Sequence, residues 1–153
     1  MHKTFRIIFA LTAITLTVAL IAAEQTGGNT GTSASLVSQG EAQLTQNDID
    51  GAIVTLTQAV EADPSSPLAH TRLGGALLLG QQYDAAIAQF QQAIALDAEN
   101  APAFIGLGVA YLHSERLGQA KAALDEAKRL APAKTAEIDD LIGRIEQRAA
   151  AHP

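Results

Sequence analysis

A 34-residue pattern is written twice, without insertion, between residues 67 and 132, and it constrains the fold more than any other feature. Shifting the sequence by 34 positions brings identical residues together, and five pairs carry the pattern. These pairs are Leu73 with Leu107, Gly74 with Gly108, Ala86 with Ala120, Ala93 with Ala127, and Leu96 with Leu130. A fixed period of this length fits two short helices and their turns, and it indicates a stacked repeat array.

A third, weaker copy lies upstream and contributes Gly40 at the position of Gly74 and Gly108. Glycine inside a helix costs roughly 0.5–1 kcal/mol relative to alanine. Its recurrence in one register therefore predicts a close approach of the partner helix. We expect a small residue opposite each glycine and a larger one in the wider gaps. The small residues are Ala52, Ala86 and Ala120, and the larger ones are Leu56, Phe90 and Leu124.

The repeated segments LGGALLLGQQYDAAIAQFQQAIALD and LGVAYLHSERLGQAKAALDEAKRLAP resemble the tetratricopeptide repeat family, whose skeleton is L-G-x2-Y, A-x3-F, A, P. The resemblance covers about residues 33–149. It implies an all-α fold, a right-handed α-solenoid of three helix-turn-helix repeats with a C-terminal capping helix. The usual tryptophan of the first helix is replaced by Leu36, His70 and Phe104.

Cap and turn residues predict the boundaries of the repeats at about 33–66, 67–100 and 101–134. Ser66 and Asn100 are N-cap candidates, each with a proline in the first turn that follows. The predicted helices are Ser33–Thr45, Ile49–Ala62, Pro67–Leu79, Tyr83–Asp97, Ala101–Ser114 and Leu117–Ala131. A capping helix is predicted over about 135–149, with Ile138, Leu141, Ile142 and Ile145 on one face, and a tail at 150–153.

The N-terminal region predicts export. Lys3 and Arg6 precede an uncharged apolar stretch of 17 residues, Ile7 to Ala23. This length lies between a signal-peptide core and a membrane-spanning helix, so a cleaved signal peptide and an uncleaved anchor both remain open for residues 1–23. Either one predicts a periplasmic or secreted domain, or one anchored in the inner membrane and facing the periplasm. Residues 24–32, EQTGGNTGT, are predicted to be a flexible linker.

Charge is distributed unevenly along the chain. Residues 24–100 contain nine acidic residues and one basic residue, Arg72, whereas residues 101–153 contain seven of each sign. No basic stripe is present to displace counterions, which argues against nucleic acid as a partner. The acidic part is more typical of a solvated surface than of a docking surface for a basic partner.

Catalytic motifs are not recognisable in the sequence. The chain has no cysteine, and its four histidines, among them His70 and His113, include no pair at the i, i+4 spacing of a helical metal site. We expect His70 and His113 to be partly exposed helix residues. The sequence therefore predicts a non-enzyme without cofactor or metal.

The resemblance implies that the first helix of each repeat lines a concave groove that binds another protein or peptide. The predicted exposed groove residues are Val37, Glu41, Leu44, Leu68, Thr71, Arg72, Leu78, Leu79, Ile105, Val109, Leu112 and His113. Some family members hold a peptide carboxylate with lysines and asparagines, but Val37, Ser38, Glu41 and Arg72 occupy those positions here.

An apolar groove favours an apolar or amphipathic helix or peptide as the partner, held with little dependence on salt. The function we expect is an adaptor or scaffold outside the cytoplasm or at the membrane. Three alternatives remain open. They are a groove filled by the chain's own side chains, a self-assembling structural unit, and an accessory subunit of an envelope enzyme complex.

Overall fold

The computed structural model describes residues 31–151, and helices account for most of that range. Helix α1 covers 31–45, and the helices that follow are α2 (Ile49–Ala62), α3 (Pro67–Leu79), α4 (Tyr83–Leu96), α5 (Ala101–His113), α6 (Leu117–Leu130) and α7 (Thr135–Ala151). A 3-10 turn, Pro132–Lys134, precedes α7. The predicted signal or anchor (1–23), most of the predicted linker (24–32) and the last two residues lie outside the described range.

The observed helix ends lie close to the predicted ones. Helices α2 and α3 have the predicted bounds, whereas α4, α5 and α6 each end one residue earlier because Asp97, Ser114 and Ala131 are C-caps. Helix α7 continues two residues beyond the predicted end, and residues 31 and 32 of the predicted linker are already helical. The predicted N-caps are confirmed, since the side chains of Ser66 and Asn100 accept hydrogen bonds from the amides of Ala69 and Ala103.

The turn between the two helices of each repeat has the same geometry every time. Asn47, Gln81 and Glu115, spaced by 34 residues, have φ of 61°, 59° and 61°. The amide of the next residue donates back to a carbonyl in the last turn of the first helix, as from Gln82 to Leu77. This is a helix ending of the Schellman type, which closes a helix through one left-handed residue. Left-handed backbone is uncommon for side chains other than glycine, so three such residues at one period show how strictly the turn is repeated.

The helices of each repeat pack through the recurrent glycines. A Cβ on Gly40 would lie 2.5 Å from the Leu56 side chain, and one on Gly74 would lie 2.8 Å from the Phe90 ring. The third repeat is similar, with 2.6 Å between a Cβ on Gly108 and Leu124. The close approach is confirmed, but the residue that meets each glycine is the larger one.

The predicted small residues also lie in the helix interface, and the Ala120 carbonyl would be 3.3 Å from a Cβ on Gly108. Ala52, Ala86 and Ala120 are fully buried, as expected of a helix contact. The nearest neighbours of the glycines are nevertheless the side chains of Leu56, Phe90 and Leu124, the predicted gap-filling residues. A bulky side chain can span the interface between two helices only where the opposite helix has no side chain.

Contacts between repeats make the array curved. Helix α3 contacts α5 and α5 contacts α7, whereas α2, α4 and α6 have no contacts with one another in the described part of the chain. Helices that touch on one side of a stack and separate on the other must bend it toward the touching side. The first helices α3 and α5 therefore form the inner, concave layer, with α1 continuing it at one end and α7 at the other.

The two ends of the array differ. Helix α7 covers the third repeat with the predicted apolar face, and Ile138, Ile142 and Ile145 are buried. At the first repeat, the core positions held by Leu73 and Leu77 in α3 are taken by Gln39 and Gln43.

In the described range, no helix is both long and apolar enough to cross a bilayer. The fold is an all-α helical-repeat solenoid, as the sequence predicted.

Candidate functional site

The concave face has its most exposed apolar side chains on α3. Leu68 and Leu79 are 48% and 57% exposed. They lie eleven residues apart, which places them on the same face of the helix, separated by about 16 Å. Arg72 and Gly75 lie between them on that face. We call these four residues the groove stripe.

Gly75 forms the floor of the groove stripe. A Cβ added at this position would have no atom within 4 Å, in contrast to the neighbouring Gly74. The backbone of α3 is thus accessible from the groove in the middle of the stripe. Open space therefore lies over Gly75, between Leu68 and Leu79.

The walls of the groove come from α1 and α5. Leu44 on α1 and Ile105 on α5 are partly buried and pack against the core, as does Leu78 of α3. Val109 is half-buried, and His113 is exposed, with its ring stacked on Tyr83 at a centroid separation of 5.2 Å.

Three predicted groove residues are not exposed, which corrects the sequence-based expectation. Val37, Thr71 and Leu112 are only 4%, 7% and 8% exposed. They lie along the lines where neighbouring first helices meet, so that packing between repeats covers them. These three side chains therefore offer little accessible surface to a partner in the groove.

The two charged residues of the groove are paired with each other. Glu41 of the first repeat accepts a hydrogen bond from the guanidinium Nε of Arg72 in the second repeat. The side chains remain 44% and 41% exposed. The pair joins two repeats across the groove, and it neutralises Arg72, the one lysine or arginine between residues 31 and 115.

A crevice of about 320 Å³ opens at the N-terminal ends of α3 and α5. Its residues come from α3, α5 and the α4–α5 loop. They are Pro67, Leu68, Thr71, Arg72, Asp97, Glu99, Asn100 and Pro102. We call it the acidic crevice, because Asp97 and Glu99 lie on its rim and Arg72 is already paired.

The polar groups on the floor of the acidic crevice satisfy one another. The Asn100 amide nitrogen donates to the Thr71 hydroxyl at 3.0 Å, and that hydroxyl donates to the Pro67 carbonyl at 2.7 Å. Asp97 accepts from the backbone amide of Glu99 at 3.0 Å. The Glu99 carboxylate makes no hydrogen bond or salt bridge among the described residues, and the nearby Arg129 is held by Glu126.

His70 is buried, which corrects the prediction of a partly exposed residue. Its side chain is 7% exposed, and both ring nitrogens have partners. Nδ1 lies 2.8 Å from Gln89 Oε1 on α4, and Nε2 lies 3.0 Å from the Pro64 carbonyl in the preceding loop. His70 therefore ties two repeats together and is directed away from the groove.

Residues that could hold a metal are not grouped within 31–151, where no three histidine, aspartate or glutamate side chains lie close enough together. The concave face thus offers two apolar anchors, an open floor and a paired charge. This arrangement suits the binding of a chain segment.

Sequence reasoning missed Gly75, Asp97, Glu99 and Pro102. The period of 34 could have indicated Gly75, because it lies 34 residues after Glu41 and 34 before Val109, both of which were predicted groove residues. No comparable signal marks Asp97 and Glu99. They belong to a loop, and their position on the rim follows from the packing of α5 against α3.

Comparison with known families gives two matches, both described as tetratricopeptide repeat. One covers residues 37–101 and the other covers residues 77–145, so that together they span 37–145. No curated protein sequence matches the chain.

Solved structures with a similar fold include several described as TPR domains. The first TPR domain of Spaghetti (RPAP3) bound to the HSP90 peptide SRMEEVD has a TM-score of 0.76 and 24% identity, over 79% of this chain and 95% of that one. The TPR2B domain of yeast Sti1 in a pHsp70 complex has a TM-score of 0.74 and 21% identity, over 76% and 98%. The Yersinia enterocolitica type III secretion translocator chaperone SycD has a TM-score of 0.72 and 18% identity, over 78% and 95%. At these identities the likeness concerns the fold.

Proposed function

The chain belongs to the tetratricopeptide repeat family, and from this premise we propose that it is a non-catalytic adaptor or scaffold that binds an apolar or amphipathic segment of another protein in its concave groove. The observation that carries the proposal is the groove stripe. Two exposed leucines flank an open glycine floor on the inner layer of the solenoid. Large apolar side chains exposed on a concave face usually mark an interface.

The spacing of the anchors suits a short segment. Leu68 and Leu79 are about 16 Å apart, a distance spanned by about three turns of helix or about five extended residues. The open floor at Gly75 provides room for one partner side chain between them. Burial of apolar surface contributes about 25 cal/mol per Å², so contacts at both leucines and the floor supply the main attraction.

An acidic peptide is a poor match for this groove. The RPAP3 structure contains the HSP90 peptide SRMEEVD, which carries three carboxylate side chains. In the groove described above, Arg72 is already paired with Glu41. Residues 31–100 contain eight acidic residues against this single arginine. We therefore do not assign a peptide of that charge to this chain.

The setting we propose is outside the cytoplasm or at the membrane. The support comes from the basic start and the uncharged residues 7–23, which are typical of an export signal or an anchor. Residues 24–30 would then separate the repeats from the export segment.

Affinity capture with matched variants tests the proposal. The full chain with a C-terminal tag is compared with Leu68→Glu/Leu79→Glu, with Gly75→Phe, which places a large side chain where an added Cβ has no neighbour within 4 Å, and with Val54→Glu. Val54 is 59% exposed on α2, so its replacement puts a charge on an exposed apolar site outside the groove. Captured proteins are identified by mass spectrometry, and binding is measured again with purified components.

We expect both groove variants to lose the partner and Val54→Glu to keep it, with the helical circular dichroism signal unchanged in all three. A partner that binds the groove variants as tightly as the unmodified chain would refute the groove as the binding site. The design avoids Leu112, because a charge at this buried position would unfold the repeat.

A further inference from the structure

We infer that the acidic crevice selects partner segments that carry a lysine or arginine next to an apolar residue. This inference rests on the proposed function, since it specifies the chemistry of the segment that the groove binds. The basic residue would lie at the N-terminal ends of α3 and α5, and the neighbouring apolar residue would contact Leu68.

The charge balance of the crevice favours a cationic side chain. Asp97 and Glu99 lie on its rim, and both are exposed. Arg72 is the one basic residue in its lining, and Glu41 already neutralises it. The crevice and the attached pair together carry three carboxylates and one guanidinium. A cationic side chain would reduce this imbalance, whereas an anionic one would increase it.

The hydrogen-bonding groups of the crevice favour a partner side chain that donates. The donors on the floor are occupied, since the Asn100 amide donates to Thr71 and the Thr71 hydroxyl donates to Pro67. The rim has spare acceptors, because Asp97 uses one carboxylate oxygen for the Glu99 amide and the Glu99 carboxylate makes no hydrogen bond within the described range. Lysine and arginine side chains are donors without acceptors, so they complement this rim.

Apolar surface lies beside the carboxylates of the crevice. Leu68, 48% exposed, together with Pro67 and Pro102, lines the same crevice. The aliphatic stem of a lysine or arginine can lie along such a surface while its charged end reaches the carboxylates. The crevice is continuous with the groove stripe through Leu68 and Arg72. A segment that occupies the stripe can therefore place one basic residue here.

Long-range electrostatic attraction also favours a basic partner. Residues 31–100 have eight acidic residues and one basic residue, which gives this part of the solenoid a net charge of −7. Fields of this kind raise the association rate of oppositely charged partners and weaken as salt is added. The sequence alone favoured a solvated surface. The structure places two of these carboxylates beside an exposed leucine at the end of the groove.

The test uses a random peptide display library selected on the full chain in a mild detergent, with counter-selection on Gly75→Phe to retain only peptides that need the groove. One enriched peptide is then titrated against two double variants. Asp97→Asn/Glu99→Gln neutralises the crevice, and asparagine keeps an oxygen to accept from the amide of residue 99. The control, Asp48→Asn/Glu61→Gln, removes the same amount of charge from the first repeat. Asparagine at position 48 keeps the side-chain oxygen that accepts a hydrogen bond from the Gly51 amide.

We expect the enriched peptides to carry lysine or arginine beside apolar residues. Neutralising the crevice should weaken binding by about fivefold, as for two partly exposed ion pairs. The control should change it less than twofold, and added salt should reduce the difference. Enriched peptides that lack basic residues, carry acidic ones, or bind the neutralised variant equally well would overturn this inference and leave the proposed function intact. The absence of any peptide that depends on Gly75 would overturn both.

Discussion

Glu41 in the first repeat and Arg72 in the second form a salt bridge across the concave groove. The two residues are 31 positions apart, and no pattern in the sequence pairs them. The bridge removes the free cation from the centre of the groove, and it leaves the binding surface apolar in the middle and acidic at one end.

The contribution of this bridge to stability should be small. Both side chains are more than one third exposed, and such pairs contribute about 0.2–1 kcal/mol. A double-mutant cycle with Glu41→Gln, Arg72→Gln and the double variant, followed by urea unfolding, measures the coupling free energy. A coupling above about 2 kcal/mol would mean that the pair is far better shielded from solvent than its exposure indicates.

Gly74→Leu should destabilise the protein much more than Ala85→Leu. A side chain on Gly74 would meet the Phe90 ring at 2.8 Å, whereas Ala85 is exposed on α4. Overpacking of this kind typically costs about 1–3 kcal/mol in the free energy of unfolding. Thermal unfolding followed by circular dichroism gives the comparison, and equal Tm values for the two variants would contradict the glycine packing described above.

His70→Phe should cost about 1–3 kcal/mol of unfolding free energy, because it leaves the Pro64 carbonyl and the Gln89 side chain without their partner. His113→Phe is the matched control. It is exposed and can keep an aromatic contact with Tyr83, so we expect a change within about 0.5 kcal/mol. Chemical denaturation measures both. Similar free energies for the two variants would argue against His70 as a link between repeats.

The hydrogen bond from Arg129, followed by the attraction of its positive charge, lowers the pKa of Glu126 below its ordinary value of 4.5. A lowered folded-state pKa means that the ionised pair stabilises the protein above pH 4.5, and that this contribution is lost as the pH falls through the folded-state pKa. Carboxyl NMR titration should give a midpoint below 4.5, which should rise in Arg129→Gln but not in Arg144→Gln. A midpoint that does not respond to Arg129→Gln would contradict this explanation.

A reporter enzyme fused after Pro153 that works only outside the cytoplasm should be active. The basic start and the uncharged residues 7–23 predict that everything after residue 24 is carried across the membrane. The control is a fusion in which Leu11 and Leu20 are replaced by arginine, which should abolish export. Activity of a reporter that works only in the cytoplasm, fused at the same place, would disprove the predicted topology.

The sequence by itself determined the repeat architecture of this protein. Helix ends depend on residues a few positions apart, so Ser66, Asn100 and the prolines after them were enough to predict where α3 and α5 begin. The period of 34 likewise indicated that Gly40, Gly74 and Gly108 meet a neighbouring helix.

The tertiary structure alone decided which side chains remain accessible in the groove. Val37, Thr71 and Leu112 are buried, whereas Leu68 and Leu79 are exposed, although all five belong to first helices and were predicted together. The difference depends on the angle at which one repeat stacks on the next. That angle results from the packing of many side chains between repeats, and no local pattern encodes it.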